Sequence, residues 1–191
     1  MSRPTWSSLG SLALSPTANY ALPHCNAGRE PHDGHLLGGG LYHSALAVRD
    51  GDHDFVIEMA PVWNTDSAQR GVVLQGPVGA RWLGRSRWFR YEVRLWQDGR
   101  IPDSAEAVAS PMRASNSHTQ VAMLLQVLPT VPPLTWGRDE LSAGEMWNSN
   151  SLVSWLLARS GHQMSTIHPP VHGRAPGWKA GLILASRQAV P

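Results

Sequence analysis

Cysteine is almost absent from this chain of 191 residues, which contains Cys25 alone. One thiol excludes an internal disulfide and any zinc cluster built on several cysteines. His24, His32 and His35 lie near Cys25, but their spacing fits no zinc-binding pattern, so we read them as exposed loop residues. We therefore expect no metal site, and no motif in the sequence indicates a cofactor.

Long apolar runs and a large net charge are missing as well. No apolar run approaches a length of about 18 residues, which would suggest a membrane-spanning helix. The 16 basic and 14 acidic residues give a net charge of +2, which is too small to indicate nucleic acid as a partner. The N-terminal SSLGSLALSPTANYA is interrupted by glycine and serine and makes a poor signal peptide. We expect a soluble protein that is cytoplasmic or exported by a route without a signal peptide.

Phenylalanine and tyrosine are scarce, with 2 and 3 copies, whereas tryptophan occurs 9 times and glycine and proline 18 and 15 times. This composition predicts a loop-rich fold of short strands with large aromatic anchors. The chain is long enough for one domain with a full core. Residues 1–38 lack any periodicity, so we expect an irregular N-terminal arm there and a single domain over 39–191.

Four segments have strand character. Residues 41–48 and 55–59 flank the turn Asp50-Gly51-Asp52 and predict a hairpin, and residues 71–75 and 86–96 predict two further strands. In the last segment arginine and tryptophan share one face with Glu92. Such a face could stack bases or lie at lipid headgroups, but a solvated sheet face is favoured because no lysines and no large net charge accompany it.

Three segments predict helices, at residues 104–108, 118–128 and 147–161. The second has Ser117 as its N-cap and Pro129 beyond its end. The third, in WNSNSLVSWLLARSG, is apolar enough to be buried and ends at Gly161. Its polar start has two interpretations: Ser149 or Asn150 caps the helix, or Ser149 is a nucleophile next to free N–H groups and the positive end of the helix dipole.

Two polar residues lie in otherwise apolar strands, His43 in the first and Glu58 in the second. Buried polar groups need partners, so they either pair with each other or belong to a site. Together with Ser149 they supply the residue types of a general base, an orienting group and a nucleophile.

The segments YHSALAVRDGDHDFVIEMAP and NSNSLVSWLL resemble the permuted papain-like superfamily, which includes bacterial cell-wall amidases and the lecithin retinol acyltransferase family. The resemblance covers roughly residues 37–160. It implies an α+β fold with a small antiparallel sheet or barrel packed against a few helices. It places His43 at the base, Glu58 at the orienting polar residue, and Ser149 at the nucleophile, where the relatives have cysteine.

The resemblance implies a hydrolase or acyltransferase that acts on an amide or ester bond, in a cell-wall peptide or a lipid. Asn148, Asn150 and Ser151 would support the oxyanion, and Ser151 and then Cys25 follow Ser149 as candidate nucleophiles. Arg174 and Trp178 could form a cleft wall or bind an anionic group, although a packing turn is favoured.

The alternative function is a non-catalytic binding or effector domain that kept the scaffold after losing the thiol. By analogy it could be a bacterial toxin, with an inhibitor or immunity protein as partner. Trp82, Trp88 and Trp96 favour contact with a membrane surface, and a third option is single-stranded nucleic acid on the arginine and tryptophan strand.

Overall fold

The computed structural model describes residues 12–18, 40–61, 71–97, 112–168 and 173–188, and only the backbone for 12–18, 40–43, 112 and 173–174. The fold is α+β, as predicted. Its elements are β1 (Leu12–Ala18), β2 (Gly40–Asp50), β3 (His53–Pro61), β4 (Val72–Pro77), β5 (Arg90–Gln97), β6 (Met112–Ser115), α1 (His118–Val127), α2 (Ser149–Arg159), β7 (Gly173–Arg174) and α3 (Trp178–Gln188).

The strands form one sheet in the order β4-β5-β3-β2-β1-β6, and all of these neighbours are antiparallel. Strand β7 adds a short parallel pairing to the start of β2, at Gly40 and Leu41. Over the described residues the sheet stays open, with β4 and β6 at its edges, so a sheet is formed and the barrel option is wrong. None of the described helices is long and apolar enough to cross a membrane.

The hairpin of β2 and β3 is confirmed, with Gly51 in the left-handed conformation (φ 58°) at its turn. The strand predicted at residues 71–75 is also confirmed, as β4. The fourth predicted strand begins late, at Arg90, because the preceding residues form two 3-10 turns, Arg81–Arg85 and Arg87–Phe89. Ser86 separates the two turns, and its hydroxyl accepts the N–H of Trp88. This hydrogen bond caps the second turn, so the residues before Arg90 do not continue the strand.

Leu12–Ala18 lies within the predicted irregular arm but forms β1, which pairs with β2 from Leu12 opposite Val48 to Ala18 opposite Tyr42. Pro16 hides this strand in the sequence, because proline normally argues against a strand between two neighbours. The rest of residues 1–38 and the helix predicted at 104–108 lie outside the described residues. The division into an arm and a domain stays a prediction.

One face of the sheet is apolar and carries the core. Alternate residues of β2, β3 and β5 pack on this face against α1 and α2, and α3 contributes from behind α2. Two large anchors, Trp147 and Trp155, are almost completely buried here. Burial raises the pKa of Tyr91, whose hydroxyl donates to the carbonyl oxygen of Leu134 (2.7 Å). The fully buried side chains of the sheet face are Leu46, Ile57, Met59, Tyr91 and Val93.

The opposite face of the sheet is charged yet buried. Glu92 is 0% exposed and Arg94 is 6% exposed, and the Arg94 Nε atom donates to Glu92 Oε2 at 2.9 Å. Gln75 Nε2 donates to the other carboxylate oxygen of Glu92 at 3.1 Å. The interpretation of this part of β5 as a solvated face is therefore wrong.

Candidate functional site

The start of α2 is closed by a capping box built on Asn148. Its Oδ1 atom accepts the N–H groups of Asn150 (2.9 Å) and Ser151 (3.2 Å), and Ser151 Oγ accepts the N–H of Asn148 (3.1 Å). The buried helix is confirmed, and it ends before Gly161 (φ 78°). The cap is Asn148, however, and not Ser149 or Asn150, because the Asn148 backbone is still extended (φ −162°) where α2 begins.

The segment before α3 is seated on this cap. The side-chain amides of Asn148 and Asn150 both donate to the carbonyl oxygen of Pro176, at 2.7 and 2.9 Å. Gly177 follows with φ 94°, and a Cβ atom there would overlap Asn148 Oδ1. Residues 175–177 are therefore a packing turn, as favoured from the sequence.

Trp178 is the first residue of α3, and its backbone joins α3 to α2. Ser154 Oγ donates to the carbonyl oxygen of Trp178 at 2.8 Å. Glu145 Oε2 accepts the N–H groups of Gly177 (2.9 Å) and Lys179 (3.0 Å), so a carboxylate lies at the positive end of α3. The backbone of Arg174 pairs with Leu41 in β7, and its side chain lies outside the described residues.

A buried hydrogen bond joins the first turn of α2 to β2. Ser44 Oγ donates to Asn150 Oδ1 at 2.7 Å. Ser44 directly follows His43, so this bond holds the strand beside His43 against the start of α2. The backbone of His43 pairs with Thr17 in β1, and its side chain lies outside the described residues.

Ser149 is the first residue of α2 and is 3% exposed. Its position in the first turn places its hydroxyl near the positive end of the helix dipole. Because it is buried, a substrate would reach it only after neighbouring groups move. Ser151 is a member of the capping box, and its hydroxyl also donates to the carbonyl oxygen of Met146 (3.1 Å).

Glu58 is 8% exposed and lies directly opposite Arg94 in the pairing of β3 with β5. It alternates along β3 with Ile57 and Met59, which belong to the core under the helices. Glu58 therefore lies on the sheet face turned away from α2. The structure brings Ser44 of β2 to Asn150 in the first turn of α2. It places Glu58 opposite Arg94, on the other face of the sheet.

The sequence analysis missed the residues that assemble this region. Ser44 was detectable, because it is a polar residue on the strand face that also carries Leu46 and Val48. Glu145 and Pro176 were not detectable, since they act through contacts between distant parts of the chain. The described residues contain no group of three or more histidine, cysteine and acidic side chains that could hold a metal ion.

His162, just beyond the other end of α2, is a buried titratable group that the sequence analysis also missed. Its Nδ1 atom lies 2.9 Å from Ser160 Oγ and 3.2 Å from the carbonyl oxygen of Leu157. Its Nε2 atom is buried, and no group of the described residues forms a hydrogen bond with it. Burial lowers the pKa of His162, and the contact with Leu157 opposes this effect.

The candidate site thus consists of a helix start, the residues that cap it, and the strand that contains His43. Its relation to the permuted papain-like superfamily stays a prediction from two sequence motifs. No family model, no curated protein and no solved structure matches this chain.

Proposed function

We propose that this protein is an acyl-transfer enzyme of the permuted papain-like type, a hydrolase or acyltransferase acting on an amide or ester through Ser149. The supporting observation is the hydrogen bond of 2.7 Å between Ser44 and Asn150. It holds β2, which contains His43, against the helix turn that begins with Ser149. Neighbouring residues of a strand face opposite sides of a sheet, and Ser44 faces α2, so the proposal requires a local departure from this alternation for His43 to reach Ser149. A base on a strand beside a nucleophile at a helix start is the arrangement that this chemistry needs.

In the proposed reaction His43 takes the proton of Ser149 as the hydroxyl oxygen attacks the carbonyl carbon of the substrate. The protonated His43 then gives this proton to the departing amine or alcohol as its bond to the carbonyl carbon breaks, and water or an acceptor alcohol or amine releases the acyl group from Ser149. The negative charge that develops on the carbonyl oxygen is stabilised by the positive end of α2. The N–H groups of Asn150 and Ser151 already donate to Asn148, so they contribute through the helix dipole. The substrate would be a cell-wall peptide or a lipid ester.

The orienting role of Glu58 is a separate part of the proposal. Glu58 lies opposite Arg94, on the sheet face turned away from α2 and Ser149. If Glu58 orients His43, the substitution Glu58→Gln should lower kcat. If Glu58 only balances the charge of Arg94, the same substitution should lower stability and leave kcat unchanged.

The test measures covalent labelling by a fluorophosphonate probe and hydrolysis of a short-chain nitrophenyl ester. Ser149→Ala should abolish labelling, and His43→Ala should lower the labelling rate at least about 100-fold, which is the usual contribution of a general base. Ser165→Ala is the matched control, because Ser165 is exposed and distant in sequence from the helix start. Labelling that persists in Ser149→Ala while the protein stays folded would refute the assignment.

A second candidate function is a non-catalytic binding or effector domain. It is supported by the burial of Ser149 and by the structural hydrogen bonds of Asn148, Asn150, Ser151 and Ser154, which hold α2 to its neighbours. As a toxin it would have an inhibitor or immunity protein as partner. This function would be favoured if the folded wild-type protein does not react with the probe and the Ser149→Cys variant does not react either.

A further inference from the structure

The connection between β4 and β5 exposes three large aromatic side chains. Trp82 is 71% exposed, Trp88 is 62% exposed and Phe89 is 40% exposed. They lie on residues 81–90, RWLGRSRWFR, which we call the arginine–tryptophan turns. A cluster of exposed aromatic residues of this size is unusual on a protein surface and marks an interaction site.

Backbone hydrogen bonds hold the arginine–tryptophan turns in this conformation. Val78 N–H donates to the carbonyl oxygen of Phe89 (2.9 Å), and Ser86 N–H donates to that of Leu83 (2.9 Å). Arg90 Nε donates to the carbonyl oxygen of Gly84 (2.7 Å), and Gly84 itself packs closely on Pro77. The aromatic side chains are therefore presented to solvent by an ordered scaffold.

The arginine–tryptophan turns contain four arginines and no acidic residue. Arg81 forms an ion pair with Glu140 (2.8 Å) at the base of the turns. Arg85 and Arg87 are exposed and have no acidic partner among the described residues. The Arg87 guanidinium lies 5.2 Å from the centre of the Trp88 ring, so cation and aromatic face are combined at one place.

We propose that the arginine–tryptophan turns bind the surface of an anionic phospholipid bilayer. Tryptophan is enriched at the headgroup level, where its ring is partly buried and its N–H remains hydrated. Arginine binds phosphate in a bidentate geometry, and each basic residue near an anionic bilayer adds favourable energy. The unpaired arginines and the exposed rings supply both contributions on one surface.

The arginine–tryptophan turns lie near the start of α2. Val78 forms a bridge with Trp136, and Trp136 forms a bridge with Trp147, the residue before Asn148. Two strand spacings of about 4.8 Å place Val78 and Trp147 roughly 10 Å apart. The end of β4 from which the turns begin is thus linked to the start of α2. The binding proposal itself does not depend on the acyl-transfer chemistry.

The experiment is cosedimentation of the full chain with vesicles of phosphatidylcholine alone and of phosphatidylcholine mixed with phosphatidylserine. Wild-type protein should bind the mixed vesicles more strongly, and added salt should weaken that binding. Arg85→Gln with Arg87→Gln should lower the partition coefficient about 30-fold, since each arginine contributes a factor of about five. Trp82→Ala with Trp88→Ala should lower it at least about tenfold.

The matched control is Met123→Ala with Arg187→Gln, which removes an exposed apolar residue and an exposed arginine elsewhere and should leave binding unchanged. Only variants whose melting temperature matches that of the wild-type protein are compared. Wild-type protein that does not bind the mixed vesicles overturns the proposal, as do turn variants that bind like the wild type. Binding to single-stranded DNA without binding to vesicles would also overturn it and would assign the surface to nucleic acid.

Discussion

The side chain of Asn148 forms hydrogen bonds on both of its polar atoms. Its carbonyl oxygen accepts two N–H groups at the start of α2, and its amide donates to Pro176 in the segment before α3. The same side chain therefore caps one helix and positions the entry to the next. Gly177 lies directly against it, in a left-handed conformation that few other residues adopt easily.

Replacing Gly177 with alanine should lower the free energy of unfolding by about 3 kcal/mol. The new Cβ atom would overlap Asn148 Oδ1, and the positive φ adds backbone strain. Gly144→Ala is the matched control, because Gly144 has φ 76° but open space around it, and it should cost about 1 kcal/mol. Urea denaturation measures both values, and equal losses would mean that the close approach to Asn148 has no energetic effect.

At the scale of elements, α2 is fastened at both ends by different chemistry. Its start is held by amides that reach β2 and the segment before α3. Its end is held by Ser160, whose hydroxyl donates to the carbonyl oxygen of Leu156 (2.6 Å) and lies beside His162. Between these ends, Leu152, Leu156 and Leu157 are almost completely buried. Such a helix is stabilised mainly by its packing rather than by its intrinsic propensity.

The burial of His162 should make stability depend on pH. Its pKa is lowered in the folded state from 6.5 because burial disfavours the charged form. The unfolded chain therefore binds a proton first, and stability should fall as the pH decreases below about 6.5 towards the folded pKa. At higher pH the contribution of His162 to stability is fully present.

Urea denaturation at a series of pH values tests this dependence. His162→Gln should flatten the decrease in the free energy of unfolding below pH about 6.5. The exposed residue His168 provides the matched substitution, His168→Gln, which should keep the wild-type slope. A slope that survives in His162→Gln would place the responsible group elsewhere.

At the scale of the whole molecule, the two faces of the sheet bury different chemistry. The face under α1 and α2 is apolar. The other face buries Glu58, Glu92 and Arg94; the guanidinium of Arg94 donates to Glu92 on its own strand, and Arg94 is the register partner of Glu58 on β3. A buried charge needs a partner, so this arrangement makes the register of β3 and β5 sensitive to any change at Arg94.

Arg94→Met should lower the free energy of unfolding by about 3 to 5 kcal/mol, because it leaves the buried carboxylate of Glu92 without its cation. Arg49→Met is the control, since it removes an ion pair with Asp54 that is 23% and 42% exposed and should cost about 1 kcal/mol at most. Chemical denaturation of both variants at neutral pH provides the comparison, and similar losses for the two would contradict the prediction.

Local patterns were sufficient for about half of the described elements, and they predicted neither β6 and β7 nor the helix α3. The hairpin at Gly51, the strand at Val72–Pro77 and the helices at His118–Val127 and Ser149–Arg159 follow from periodicity, turn residues and helix ends. The errors have physical causes of the same local kind. Pro16 concealed β1, and the alternation before Arg90 continued through residues that fold into 3-10 turns instead.

The candidate site could be predicted only in part. Its residue types and their order along the chain are written in the sequence, and so is the polar start of α2. Ser44 and Pro176 both form hydrogen bonds with Asn150 at that start, and they are 106 and 26 residues away from Asn150 in sequence. No local pattern encodes such contacts, because they depend on how the elements pack.

By itself, the sequence determined the α+β class, the main hairpin, the two longer predicted helices and the residue types that suggest a serine nucleophile. Only the tertiary structure decided that Asn148 is the cap, that Ser149 is buried, that Asn150 is bonded to β2, and that Glu58 lies opposite Arg94 on the other face of the sheet. The physical reason is that periodicity fixes which residues share a face of one element. Which faces meet, and which polar groups become partners, depends on the packing of elements far apart in the chain.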